Sequence, residues 1–204
     1  MAAQKSTLGT IRLILWAAVG VAVLAGGLIL SGELARTGPG LPGAARIGGP
    51  FVLTSHTGQR FSSERLAGKP YMLFFGFTHC PDICPTTLHE VSKHLEALGP
   101  AADNLTVLFV TVDPERDTQE LLSQYLSAFD KRIIGLTGTA EEIAQVTKAY
   151  RAIYEKVATT GEDYTMNHTA TVYLFDAGGR LRSTLTWQEP EETRMGKLKK
   201  LLAG

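Results

Sequence analysis

Two hydrophobic rhythms divide the chain. From Leu13 to Leu30 the sequence LILWAAVGVAVLAGGLIL is apolar throughout, with no charge and no proline. From Phe51 onward, short apolar runs alternate with amphipathic stretches. FVLTSHTGQRFS, residues 51–62, predicts a short hairpin turning at Thr57-Gly58. Tyr71 to Phe77 (YMLFFGF) and Leu105 to Val112 (LTVLFVTV) are compact apolar runs that suit buried strands. Between them, Leu88, Val91, Leu95 and Leu98 recur at helical spacing, which predicts a helix over Pro85–Leu98 stopped by Gly99-Pro100. A second helix is expected over Thr118–Phe129, with Leu121, Leu122, Tyr125, Leu126 and Phe129 on one face. A short strand follows at Arg132–Leu136. The third helix, Thr139–Tyr150, opens on the capping-box pattern TAEE. Ile153–Val157 extends as a strand. TATVYLFD-AGG-RLRSTLTW, residues 169–187, reads as a hairpin turning on Asp176, Gly178 and Gly179, and Glu191–Leu202 closes the chain as a helix.

Strands alternating with helices, then a hairpin and a last helix, make an α/β plan with a mixed sheet and flanking helices. The additional amino-terminal β-hairpin fits the thioredoxin-like version of that plan. The apolar run adds one transmembrane helix in front. Its eighteen residues span roughly 27 Å as a helix, close to the hydrocarbon thickness of a bilayer. A cleaved signal peptide is the competing reading, but its apolar region is usually about 7–15 residues long and ends in a small-x-small site. No cysteine stands just after the run, which excludes lipoprotein processing. The expected organisation is therefore a short cytoplasmic terminus (1–12), an anchor (13–31), a flexible Gly/Pro linker (32–49) and one domain (50–204). Lys5 and Arg12 precede the run and Arg36 follows it, so the positive-inside rule places the domain outside the cytoplasm. The short terminus lacks an Arg- and Ser-rich transit peptide, which favours a bacterial inner membrane, with the domain in the periplasm, over a mitochondrial one.

Composition removes several function classes. Lys+Arg and Asp+Glu number 20 each, so the chain is not a basic nucleic-acid binder. Two cysteines cannot make a disulfide scaffold or a four-cysteine zinc site, so they matter as a pair. They lie together in FTHCPDICPTT, residues 77–87, on a turn between a buried strand and a helix. Pro85 suits a first helical position, which puts Cys84 at or beside the N-cap, where the helix dipole favours a thiolate. Three residues separate Cys80 from Cys84, one more than in Cys-x-x-Cys redox motifs. The wider loop suits a soft metal ion bridging both sulfurs, such as Cu(I), and equally permits a reversible disulfide. Among the five histidines, His56, His79, His89 and His94 read as structural or surface residues. His168, where the polar loop YTMNH enters an apolar strand, is the one that a thioredoxin-like topology brings beside the cysteine loop. Asp113, Glu115 and Asp117 read as turn and cap chemistry, with Asp117 or Thr118 capping the next helix, more than as a hard-metal site.

FTHCPDICPTTL, VTVDPERDT (110–118) and NHTATVYLFD (167–176), in that order and behind a single anchor, resemble the Sco/SenC family of copper chaperones for cytochrome c oxidase assembly. The resemblance covers about 150 residues of the 204. It implies that Cys80, Cys84 and His168 bind copper, as Cu(I), Cu(II) or both. It further implies delivery to the binuclear CuA site of oxidase subunit II, with a periplasmic copper donor upstream. Asn167-His168-Thr169 stands where the family often has Asp-His-Ser. The resemblance also implies an alternative activity, in which Cys80 and Cys84 act as the redox pair of a thiol-disulfide oxidoreductase that reduces the CuA cysteines. No proline lies between Pro114 and Pro190, so the cis-proline of general thioredoxins is missing. The Thr-x-x-Cys of typical peroxiredoxins is absent too.

Overall fold

The computed structural model describes residues 11–12, 15–24, 46–160, 163–186 and 188–204. The chain divides into two compact units, 1–45 and 46–204. In the first, residues 15–24 are helical and exposed. Among the described residues no helix is long and apolar enough to cross a membrane. The expected anchor falls partly outside the described residues, as does the linker up to residue 45, and so do the remaining positions of the short amino terminus apart from 11 and 12.

The second unit is built on a seven-stranded mixed sheet. Its strands are β1 (Val52–Ser55), β2 (Arg60–Ser62), β3 (Tyr71–Gly76), β4 (Thr106–Thr111), β5 (Ile133–Thr137), β8 (Val172–Phe175) and β9 (Leu181–Leu185), in the order β2-β1-β5-β4-β3-β8-β9. Strands β3, β4 and β5 run parallel, while β1 and β8 pair antiparallel to β5 and β3. All six residues of β3 are buried, as its unbroken apolar run requires of a strand covered on both faces. The remaining two strands, β6 (Tyr154–Ala158) and β7 (Tyr164–His168), form a separate antiparallel ribbon.

Four helices accompany the sheet: α1 (Ile83–Leu98), α2 (Gln119–Leu126), α3 (Ala140–Ala149) and α4 (Glu191–Leu202). Helix α1 buries Cys84, Leu88, Val91, His94 and Leu95, one stripe at helical spacing. Burial of each large apolar side chain contributes about 1.5–3 kcal/mol. It starts two residues before the expected Pro85. The Asp82 carbonyl accepts both the Thr86 N–H and the Thr86 hydroxyl, and proline costs nothing within a first turn whose N–H groups have no partner anyway. Cys84 is thus inside the first turn rather than at the cap. The capping box on α3 forms as its sequence predicts, with Thr139 and Glu142 exchanging side chain-to-backbone bonds. Thr118, not Asp117, caps α2.

Two expectations about the late segment need correction. The strand leading out of His168 begins only at Val172, and YTMNH is itself a strand rather than a loop. Its polar residues disguised the pattern, because in this two-stranded ribbon outside the main sheet only Met166 of the five is buried outright. The β8–β9 turn is as expected: the Asp176 carboxylate accepts the N–H groups of Gly178 and Arg180, and Gly179 takes a φ of 69°.

Candidate metal centre

The carboxyl ends of β3 and β4 and the end of the β6–β7 ribbon meet at the cysteine loop. Cys80 lies in the turn after β3, and Cys84 in the first turn of α1 is fully buried. The Cys84 amide donates to Cys80 Sγ over 3.4 Å, folding the loop back on itself. Cys84 Sγ stands 3.4 Å from His168 Nε2. One ligand atom from each of Cys80, Cys84 and His168 falls within 4.8 Å of the others, the only such group of three among the described residues. The loop needs the glycine that ends β3. A Cβ at Gly76 would fall 2.6 Å from the Phe109 ring and 2.9 Å from Cys84 Sγ.

Hydrogen bonding sets the chemical state of each group. His168 Nδ1 lies 3.1 Å from the Thr169 carbonyl. A carbonyl only accepts, so Nδ1 carries the proton and the lone pair of Nε2 points at the sulfurs. The edges of Phe74 and Phe77 fix the ring plane, at centroid separations of 6.2 and 5.6 Å. The two thiols are unlike. A hydrogen bond from Cys84, opposed by burial and helped by the loop amides of Asp82 and Cys84, pulls the Cys80 thiol down to about 4. The Cys80 sulfur beside it and burial push Cys84 up. Negative charge on the pair is therefore favoured on Cys80 over Cys84. Two sulfurs and one neutral imidazole form a donor set for a soft or borderline cation, and they leave a coordination position open for exchange.

The acidic loop after β4 is structural, as its turn chemistry suggested, but it does more than cap a helix. Asp117 is fully buried and accepts from the Thr78 amide, the Thr78 hydroxyl and the Thr111 hydroxyl. It ties the cysteine turn to β4, and burial raises its pKa. Asp113, also buried, accepts from the Tyr164 hydroxyl at 2.8 Å and from Arg116. The Arg116 guanidinium lies 3.7 Å from the centroid of the Tyr164 ring and donates to the Tyr164 carbonyl. Lys156 covers the same ring and pairs with Glu115. One loop thus holds the cysteines on one side and the ribbon that carries His168 on the other. Sequence reasoning missed Arg116 and Tyr164. The one available signal was the period-two alternation of Tyr164, Met166 and His168.

The family model described as SCO1/SenC matches residues 40–203. The chain belongs to the SCO1/SenC family. It is 41% identical over 140 residues to the human mitochondrial protein SCO1 homolog, a match covering 67% of this chain and 46% of that relative. The chain thus spans under half the length of that protein. Among solved structures it is similar to Bradyrhizobium japonicum ScoI with copper bound, at 46% identity and a TM-score of 0.71, covering 76% of this chain and 99% of that one. It is also similar to yeast Sco1 with copper bound, at 35% identity and a TM-score of 0.71, covering 78% and 90%.

In this SCO1/SenC domain the other histidines stand apart from the trio. His56 Nδ1 accepts the Gly135 amide at 3.0 Å and so braces β1 against β5. His79 pairs with the Thr78 hydroxyl and is half exposed, and His89 is exposed on α1. His94 is buried at 3% exposure. The departure at Asn167 falls on an exposed side chain, whereas the Thr169 hydroxyl accepts the Ile153 amide and closes the ribbon.

Proposed function

We propose that this chain is a membrane-tethered copper metallochaperone that delivers copper to the CuA site of cytochrome c oxidase subunit II. The observation that carries the reading is the convergence of Cys80, Cys84 and the Nε2 lone pair of His168 within 4.8 Å. Copper-bound relatives of the same fold support it. The copper is cargo. Both cysteines would hold it as thiolates, Cys80 being the more readily ionised of the two, and His168 Nε2 completes the set. Transfer proceeds as the recipient's own cysteines and histidines replace these ligands one at a time. The apolar run Leu13–Leu30 serves as the anchor, residues 32–49 as the tether, and the domain faces the periplasm of a bacterial inner membrane, where a copper donor loads it. The low charge of the run and the basic residues before it support that placement.

The inequality of the two thiols favours a second activity at the same site. The Cys80 thiolate can attack a recipient disulfide, releasing one recipient thiolate and forming a mixed disulfide. Cys84, once deprotonated, then attacks the Cys80 sulfur. That step closes a Cys80–Cys84 disulfide and releases the second recipient thiol, so two electrons pass to the recipient. His168 separates the readings, because copper holding uses the imidazole and the dithiol step does not. In cells carrying only His168→Ala, the proposal expects loss of most CuA content at limiting copper. The cysteine redox cycle and the thermal transition of the metal-free domain should be unchanged. Normal CuA content in those cells would favour the reductase.

A further inference from the structure

The metal centre and the start of the domain lie at opposite ends of the sheet. Cys80 follows the last residue of β3, whereas the Gly48 amide donates to Ala149 at the end of α3, and a Cβ at Gly48 would touch the ring of Phe175, which pairs with the first residue of β3. Six strand residues separate the two levels, roughly 20 Å. The same end gathers the β8–β9 turn, whose Ala177 carbonyl accepts the Gly68 amide, and the end of α4, where Lys200 and Leu201 line a groove with Asp176 and Arg182.

Charge is sorted between these ends. Glu120, Glu141, Glu142, Glu191 and Glu192 occupy first helical turns, and Lys148, Lys199 and Lys200 occupy last turns. Helix dipoles alone would favour that much. Lys69, Arg151 and Arg182 lie outside helices, are exposed, and join the same end. Against them stand Glu64, Glu96, Asp103, the terminal carboxylate, Asp176, which is bound to Arg180, and Asp130, which is bound to Arg132. Lys69, Lys148, Lys199 and Lys200 have no ion-pair partner among the described residues. The domain as a whole is mildly acidic, so this concentration of positive charge is local.

We propose that this end of the domain is a docking surface for an anionic lipid bilayer, which holds the metal centre pointing away from the membrane. The occupant follows from charge complementarity and from where the chain comes in. It rests on the reading of the apolar run as an anchor: the tether joins the domain at this end, so the bilayer is the nearest large anionic surface. Basic side chains held within a Debye length of such a surface each strengthen binding about fivefold.

The test uses residues 46–204, because the core runs from Phe51 to Leu201 within that unit and the Bradyrhizobium structure is almost wholly the matched domain. Sedimentation is measured with vesicles of phosphatidylcholine alone and of phosphatidylcholine mixed with phosphatidylglycerol. Binding should require the anionic lipid and fall with added salt. Lys199→Glu with Lys200→Glu should weaken it roughly tenfold or more, while Lys93→Glu with Lys156→Glu, the same change in net charge elsewhere, should weaken it far less. Equal binding to both vesicles, or equal loss from both pairs, overturns the proposal. Alkaline washing of membranes carrying the full chain separates this result from the anchor. If the full chain stays while residues 46–204 ignore the anionic vesicles, the anchor stands and the docking surface falls. If the full chain is released while the domain still binds them, the surface stands without the anchor.

Discussion

Asp117 shows how much one carboxylate organises. It is fully buried and accepts three donors from Thr78 and Thr111. Asp117→Ala leaves those donors buried and unsatisfied, and the expected cost is about 2–4 kcal/mol, read as a lower urea midpoint of the metal-free domain. His94 acts in the opposite sense. Neither ring nitrogen has a hydrogen-bond partner among the described residues, and burial lowers its pKa. Arg194 lowers it further, while Glu90 and Glu191 oppose the shift. A lowered folded-state pKa means that the unfolded chain takes up the proton first. The contribution of His94 is therefore present above its unfolded value of 6.5 and is lost as pH falls below it. His94→Leu, which cannot titrate, should lose less Tm than the natural protein between neutral pH and pH ~5. A parallel fall in Tm for both proteins would assign the acid sensitivity to other groups.

Among the elements, β7 is the one the sequence hides, whereas its partner β6 was legible as the strand expected over Ile153–Val157. The strands of the main sheet were legible because burial on one or both faces demands apolar residues there, as in YMLFFGF. The helices of the domain were legible from their stripes and from the TAEE cap. The cysteine loop was legible too, since a Pro-rich turn after a buried strand has few other uses. Tyr164–His168 pairs only with β6, and its inward positions alternate as Tyr164, Met166 and His168, of which only Met166 is an aliphatic core residue, so the alternation is easy to overlook. Its hold on the rest of the domain comes from cross-chain polar contacts to Asp113 and Arg116, which no local pattern reports. Those contacts should govern the metal site. Tyr164→Leu removes both the hydroxyl bond to Asp113 and the ring under Arg116, while the seven-stranded sheet keeps its core. The expected result is copper binding weaker by about ten- to hundredfold, with the spectroscopic signature of His168→Ala, and a thermal transition that falls only modestly because Asp113 loses one of its two side-chain donors. Retention of the natural spectrum would show that Phe74 and Phe77 suffice to place the imidazole.

At the scale of the molecule, the parallel core does what α/β sheets commonly do. It brings loops together beyond the carboxyl ends of its strands and builds the site there. The cysteine turn follows β3, the Asp113–Asp117 brace follows β4, and His168 arrives from a ribbon bound to that brace. The order of motifs along the chain revealed the family, but only the folded arrangement explains why the acidic loop accompanies the cysteines and the histidine. The central claim is that these three side chains hold one copper ion as a unit. Copper titration of the reduced domain tests it most directly, with the Cys84→Ser and His168→Ala proteins alongside. The account predicts one copper per natural domain, loss of tight binding in Cys84→Ser because a hydroxyl is a poor ligand for a soft ion, and weaker Cu(II) than Cu(I) retention in His168→Ala. Unchanged stoichiometry and affinity in Cys84→Ser would contradict it.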